Sequence, residues 1–345
     1  EGDCARFVAG FLEGCGAEVA LDEVRPGRPN VIGRFPTRGA GKPRILFAPH
    51  TDTVGVGGMS IDPFGGEIRD GRLWGRGASD TKGPMAAMLW ALKNLGDRVA
   101  DLPVEVHFAG FMSEESDQLG SRRFAARHDG YALALVGEPT GLQTVHKHKG
   151  CLWAELVTQG VAAHGATPER GMNAITRMMP LVAALDGDFR RLLVERGGVD
   201  ELLGPSTLNI GMIQGGTRSN IVPDRCVLHL DIRFTPRLQA AGGALPLLEA
   251  FVAGVDAEAE LLAHPEAPPL DTAPDNPFVR RLVGQGAALA GAPWFCDGAY
   301  LAQGGIPSVA IGPGSIAQAH TEDEWIRVAD IEAGARFFEG WLRSL

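Results

Sequence analysis

The chain is poor in the features that mark several protein classes. Its 345 residues include only five cysteines, Cys4, Cys15, Cys151, Cys226 and Cys296, and no two of them form a Cys-x-x-Cys pair. An odd, scattered set argues against both a disulfide framework and a thiolate zinc site. Read as small buried hydrophobes, the cysteines fit a reducing cytoplasm. No run approaches the ~18 apolar residues of a membrane span, so no membrane partner is expected. Positive charge is not in excess: the net charge is −10, which opposes binding to a nucleic-acid backbone. Internal repeats and low-complexity tracts are absent. No secretory leader is visible, and the opening at Glu1 rather than methionine reads as a trimmed start.

What is present is a chain long enough for two domains, with glycine concentrated in short loops between periodic segments. The run Arg44-Ile45-Leu46-Phe47-Ala48-Pro49-His50-Thr51-Asp52 is central to the reading. A short apolar stretch predicts a buried strand, and it stops at a histidine and an aspartate two residues apart. In open α/β sheets the carboxyl ends of such strands feed the active site. The remaining elements repeat the theme. A helix is expected over 3–15, strands over 18–24 and 31–35, and a hairpin over 66–73 turning at Asp70-Gly71. Asp80 sits just before a helical pattern at 84–95. The strand expected over 104–111 runs into Ser113-Glu114-Glu115-Ser116, and the one over 132–136 into Gly137-Glu138-Pro139-Thr140.

After Gly150 the pattern changes. Strand 151–159, helix 172–186, strands 206–214 and 225–234, helix 243–254 and strand 257–263 follow the β-α-β-β-α-β order of a ferredoxin-like unit. We expect three segments: 1–150 as the first part of a catalytic domain, 151–265 as an inserted ferredoxin-like lid, and 266–345 as the second catalytic part. In the last part, helix 276–289, a short strand 293–295, helix 299–303, strand 308–311 and helix 329–342 are expected, with His320-Thr321-Glu322 in the connecting loop. The fold class is therefore α/β, with a mixed, mostly parallel sheet flanked by helices and an inserted α+β domain.

Imidazole and carboxylate ligands without thiolate suit zinc, cobalt or manganese, zinc being favoured by availability. His50, Asp80, Glu115, Glu138 and His320 are too many ligands for one tetrahedral ion with an open position, and they fit two ions sharing one carboxylate. Adjacent Glu114 and Glu115 offer one ligand and one general base. From spacing alone they read equally as acids at the positive start of the next helix. Gly75-x-Gly77 lacks the third glycine of a dinucleotide-binding turn. His107, His128, His229 and His264 are read as structural.

In order and spacing, "PHTDTV" (49–54), "GRGASDTKG" (75–83), "SEES" (113–116), "GEPT" (137–140), "AHGATPERGMNAI" (163–175), "GGTRSNIVPD" (215–224), "DIRFTP" (231–236) and "GPGSIAQAHTEDEWI" (312–326) resemble the dizinc amidohydrolase family of acetylornithine deacetylase, succinyl-diaminopimelate desuccinylase, carboxypeptidase G and aminoacylase. The resemblance covers nearly the whole chain. It implies two Zn2+ per subunit, one on His50 and Glu138 and the other on Glu115 and His320, with Asp80 bridging. It further implies Glu114 as general base, Asp52 orienting His50, a cis peptide at Asp80-Thr81, and Asn220 and Arg233 binding substrate. His164 would reach the partner subunit's site, which implies a homodimer built through the lid. The expected substrate is a small acyl amino acid, with a dipeptide or C-terminal residue as the alternative. Two departures stand out: Gly165 where relatives often have serine, and Cys296-Asp297-Gly298-Ala299 where they often have Thr-Asp-Ala.

Overall fold

The computed structural model describes residues 1–345, which divide into two compact units. The first comprises Glu1–His146, Thr272–Ala290 and Cys296–Leu345; the second, Lys147–Asp271 and Gly291–Phe295.

The first unit is built on a mixed sheet. From its antiparallel edge the strands run Glu18–Arg25, Arg28–Arg34, Glu105–Gly110, Arg44–Ala48, Tyr131–Val136, Ser308–Ala310 and Thr144–His148. The four from Glu105–Gly110 to Ser308–Ala310 are mutually parallel, and the outer pairs are antiparallel. Burial follows from this order. Ile45, Leu46, Phe47 and Ala48 in the middle are all fully buried, as a strand covered on both faces requires. Edge strand Glu18–Arg25 carries side chains that are exposed or half-buried throughout.

Successive side chains along a strand point to opposite faces. Ile45 and Phe47 enter a core built with Val8 and Leu12 of helix Gly2–Gly14, Met88 and Leu92 of helix Gly83–Leu95, and Phe338 and Trp341 of helix Val328–Ser344. Phe47 meets Phe338 edge to face at 5.6 Å between ring centroids. On other packing surfaces, helix Leu119–Ala125 brings Phe124 to 5.3 Å from Phe111. Helix Gly83–Leu95 begins with a proline in its first turn, where the missing N–H costs nothing. The mostly parallel sheet flanked by helices is the fold class expected from the sequence.

A smaller three-stranded sheet bears on the site. Ile68–Arg69 and Arg72–Trp74 form the expected hairpin, and Trp325–Arg327 pairs with its second strand. Asp70 and Gly71 both have positive φ, 52° and 71°, the backbone a two-residue hairpin turn demands.

The second unit has a four-stranded antiparallel sheet in the order Thr207–Gly215, Arg225–Phe234, Gly150–Gln159, Glu260–Ala263. Helices Ala174–Ala184 and Ala244–Val255 lay Met178, Leu181, Leu248 and Val252 against Leu152, Leu156, Leu228 and Ile232. This is the split β-α-β topology. The helical path after Ala174 runs further than the pattern indicates, through Leu185–Phe189 into helix Arg190–Gly197.

Two further local expectations differ from the structure. The helix expected over 276–289 is Pro277–Gly284, and the strand expected over 293–295 lies instead at Leu289–Ala292. Pro293 has no N–H to give a ladder, so the strand ends before it. No helix is long and apolar enough to cross a membrane.

Candidate metal centre

Three strand ends, the turn before helix Gly83–Leu95 and one late loop of the first unit bring acids and imidazoles together. His50 follows strand Arg44–Ala48 and is 2 % exposed. Its Nε2 lies 3.1 Å from Asp80 Oδ1. Its Nδ1 lies 3.3 Å from Asp52 Oδ1. Asp52 also accepts the backbone N–H of Glu114 on Oδ1 and of Glu115 on Oδ2, both at 3.0 Å. One carboxylate thus ties the strand end that carries His50 to the turn that carries the two glutamates. That turn begins at Ser113, which has a positive φ of 68°.

Asp80 sits at the start of the segment leading into helix Gly83–Leu95, and the Asp80–Thr81 peptide is cis. The Thr81 hydroxyl donates to the Gly137 carbonyl, which couples this turn to the one holding buried Glu138. His320, half exposed and with φ 62°, places Nε2 3.0 Å from Glu115 Oε2 and 3.4 Å from Asp80 Oδ2.

The ligand atoms fall into overlapping trios, each within 4.8 Å of one another: His50, Asp80 and Glu138; Asp80, Glu115 and His320; and His50, Glu114 and Glu115. Asp80 belongs to the first two. A cleft of about 590 Å³ opens beside them, lined in part by Thr51, Asp52, Thr53, Lys82 and Glu115.

Acids packed this closely need positive charge among them. Burial, with the facing acids Glu138, Asp297 and Glu115, pushes the Glu114 carboxyl well above the ordinary range, against the pull of His50. Burial and Asp80 do the same to Glu138, whose Oε1 is buried without a hydrogen-bond partner. The imidazoles respond in kind. Burial opposes charge on His50, but Asp52 and Asp80 hold its pKa well above the usual value, and hydrogen bonds to Asp80 and Glu115 raise His320 to about 10. Burial would raise Asp80 too, yet His320 and His50 keep it far below the carboxylate range. Two imidazoles and several carboxylates, without thiolate and with an orphaned buried oxygen among them, fit divalent cations of the zinc, cobalt and manganese type.

A model of the family described as peptidase family M20/M25/M40 matches residues 46–344. The chain belongs to that family. It is a metal-dependent amidohydrolase of the M20 type, acting on C–N bonds. Solved structures of similar fold include the aminopeptidase PepT of Bacillus cereus, 23 % identical, with 98 % of this chain and 91 % of that one covered at a TM-score of 0.75. An M20 family metallo-carboxypeptidase from Sulfolobus solfataricus is 21 % identical, with 98 % and 93 % covered and a TM-score of 0.77. A dinuclear metal-binding M20 peptidase of Bacillus subtilis is 18 % identical, with 99 % and 91 % covered and a TM-score of 0.70.

His164, Asn220 and Arg233 lie in the second unit. His164 forms an isolated bridge with Ile221, and Gly165 donates to the Asn220 carbonyl at 2.8 Å, so the His164 and Asn220 loops adjoin. The His164 Nδ1 accepts from Ala166 N at 3.1 Å. Arg233 is engaged by Asp231 in a forked pair, Nε to Oδ1 at 2.8 Å and Nη2 to Oδ2 at 3.1 Å.

Two residues at the centre carry no assignment from the sequence. Asp297 is fully buried, accepts from the Ser121 hydroxyl and is pushed up to about 7 by burial. Glu324 is fully buried beneath the Asp80 turn. In the sequence it stands two residues after Glu322 and next to Asp323, indistinguishable from a solvated acidic run.

Proposed function

We propose that the protein hydrolyses the amide bond of a small N-acyl amino acid, in the manner of the deacetylase and desuccinylase that its motifs resemble. The observation that carries this reading is the pair of ligand trios sharing Asp80, with Glu114 alongside. His50, Asp80 and Glu138 would hold one Zn2+, and Asp80, Glu115 and His320 the other; Co2+ or Mn2+ suits the same donors. When bound, the two ions supply Lewis acidity toward the carbonyl and acidify water.

The remaining work falls to the chain's own groups. Glu114 takes the proton of the attacking water and returns it to the leaving amine. Its burial and crowding by other acids raise its proton affinity, as a general base that must also act as an acid requires. Asp52 orients His50 through the ring nitrogen that faces away from Asp80. Asn220 and Arg233 bind the substrate carboxylate; for Arg233 this means exchanging the Asp231 carboxylate for that of the substrate in the same forked geometry. His164 polarises the scissile carbonyl from the partner subunit of a homodimer formed through the second unit, which acts as a lid.

The peptidases among the similar folds favour a second reading, an exopeptidase taking dipeptides or a terminal residue. A panel of acetyl, succinyl and carbamoyl amino acids beside dipeptides separates the two. Faster turnover of acyl amino acids supports the first reading, and turnover confined to dipeptides replaces it with the second. Light scattering in solution tests the dimer: a strictly monomeric active enzyme removes the assigned role of His164.

A further inference from the structure

One side chain from the late part of the chain holds the whole Gly77–Asp80 turn. Glu324 has no exposed surface. Its Oε2 accepts from Arg76 Nη1 at 2.9 Å and from Gly77 N at 3.0 Å. Its Oε1 accepts from Ser79 N at 2.8 Å and from Asp80 N at 2.9 Å. A carboxylate has about four lone-pair sites and no donor, and here four donors meet it. Glutamine in its place would turn an NH2 group toward two of those N–H groups, and an aspartate would fall short by one methylene.

The same segment is fastened on either side. Gly75 N donates to the Glu324 carbonyl at 3.0 Å, Trp325–Arg327 pairs with Arg72–Trp74, and the Ser79 hydroxyl reaches the Ser315 carbonyl at 3.2 Å. His320 lies between Ser315 and Glu324. The backbone that presents Asp80 and the loop that presents His320 therefore share one anchor, although the hydrogen bonds of the Glu324 carboxylate go to Arg76, Gly77, Ser79 and Asp80 and to neither imidazole.

We propose that Glu324 is a positioning residue of the metal centre. It sets the Asp80 carboxylate between His50 and His320, so that the trio Asp80, Glu115 and His320 stands ready for a second cation. The proposal rests on the two-ion reading above. Of the first trio only Asp80 lies on backbone that Glu324 holds, whereas in the second both Asp80 and the His320 loop depend on it, so its loss falls more on the second ion than on the first.

The test is a titration of the metal-free wild type and Glu324→Gln with Mn2+, followed by calorimetry and by electron paramagnetic resonance of the magnetically coupled pair. The wild type is expected to take two ions per chain with a coupled signal. The variant is expected to keep the first ion at near wild-type affinity, to bind the second about 10- to 100-fold more weakly, and to show isolated-ion spectra at one equivalent. A merely structural role would lower the melting temperature and leave stoichiometry and coupling unchanged; that result overturns the proposal and leaves the two-ion reading standing. A wild type holding a single ion overturns both. Should Glu324→Gln not fold, Glu324→Asp replaces it, with the same weakening expected at the second ion. Wild-type binding of both ions by Glu324→Asp counts against the proposal.

Discussion

Replacing Asp52 with asparagine tests how the candidate centre is assembled. The Asp52 carboxylate has three partners: His50 Nδ1 and Glu114 N on Oδ1, and Glu115 N on Oδ2. Burial works against its charge, yet His50 and the two N–H groups hold its pKa below the ordinary range. The asparagine side chain would be isosteric, with one acceptor fewer. The least costly arrangement keeps oxygen toward His50 and Glu114 and sets the amide nitrogen against Glu115 N–H. One hydrogen bond to a charged acceptor is then lost, and a buried donor faces a donor, at a cost of about 1.5–3 kcal/mol. At 1.36 kcal/mol per decade this is roughly a 10- to 150-fold effect. Because the displaced backbone carries Glu115, the loss is expected in affinity for the ion held with His320 and in kcat/KM, accompanied by lower unfolding free energy in urea. Metal titration and denaturant unfolding of Asp52→Asn measure both. If stability and ion affinity each stay within about 0.5 kcal/mol of wild type, Asp52 does not organise the two turns and the reasoning fails.

Further outcomes follow from the same geometry. Glu114→Gln is expected to retain both ions while turnover falls by about 10²- to 10⁴-fold; an active Glu114→Gln removes the base assignment. Phe47→Ala, which empties a fully buried ring site against Phe338, is expected to cost about 3–5 kcal/mol in denaturant unfolding. His107 is buried, pairs with Tyr131 at 2.8 Å, and has its pKa lowered to about 4 by burial and by Arg34 and Arg44. The unfolded chain therefore binds this proton first. Stability from this group is full above about pH 6.5 and lost as pH falls toward 4, by at most about 3 kcal/mol. Comparing His107→Phe with wild type at pH 7 and pH 4.5 should show that difference shrink; a constant difference contradicts it. Chelation is expected to lower the melting temperature by mass action on the native state, and an unchanged melt would argue against tightly held ions.

The extent to which the sequence could be read depends on what each element uses. The strand at Arg44–Ala48 is legible because four consecutive side chains are buried on both faces, and the Asp70-Gly71 turn because its backbone demands two positive φ angles. Ligand candidates at strand ends are visible for the same reason. Their meeting is not: His320 and Glu115 are 205 positions apart, and spacing says nothing about a loop that crosses to another strand end. There the resemblance to a known family supplies the arrangement. Glu324 escapes both routes, because its partners are mainly backbone N–H groups, which carry no residue-type signal. Leu289–Ala292 is illegible because a four-residue strand ending at Pro293 has too little pattern to separate it from the end of a helix.

Crystals of the enzyme grown with zinc, measured at the zinc absorption edge, test the central claim most directly. Two anomalous peaks about 3.5–4 Å apart, one among His50, Asp80 and Glu138 and the other among Asp80, Glu115 and His320, are the result the account predicts. A map in which Asp80 contacts no peak, or in which the ions lie away from His50 and His320, would contradict it.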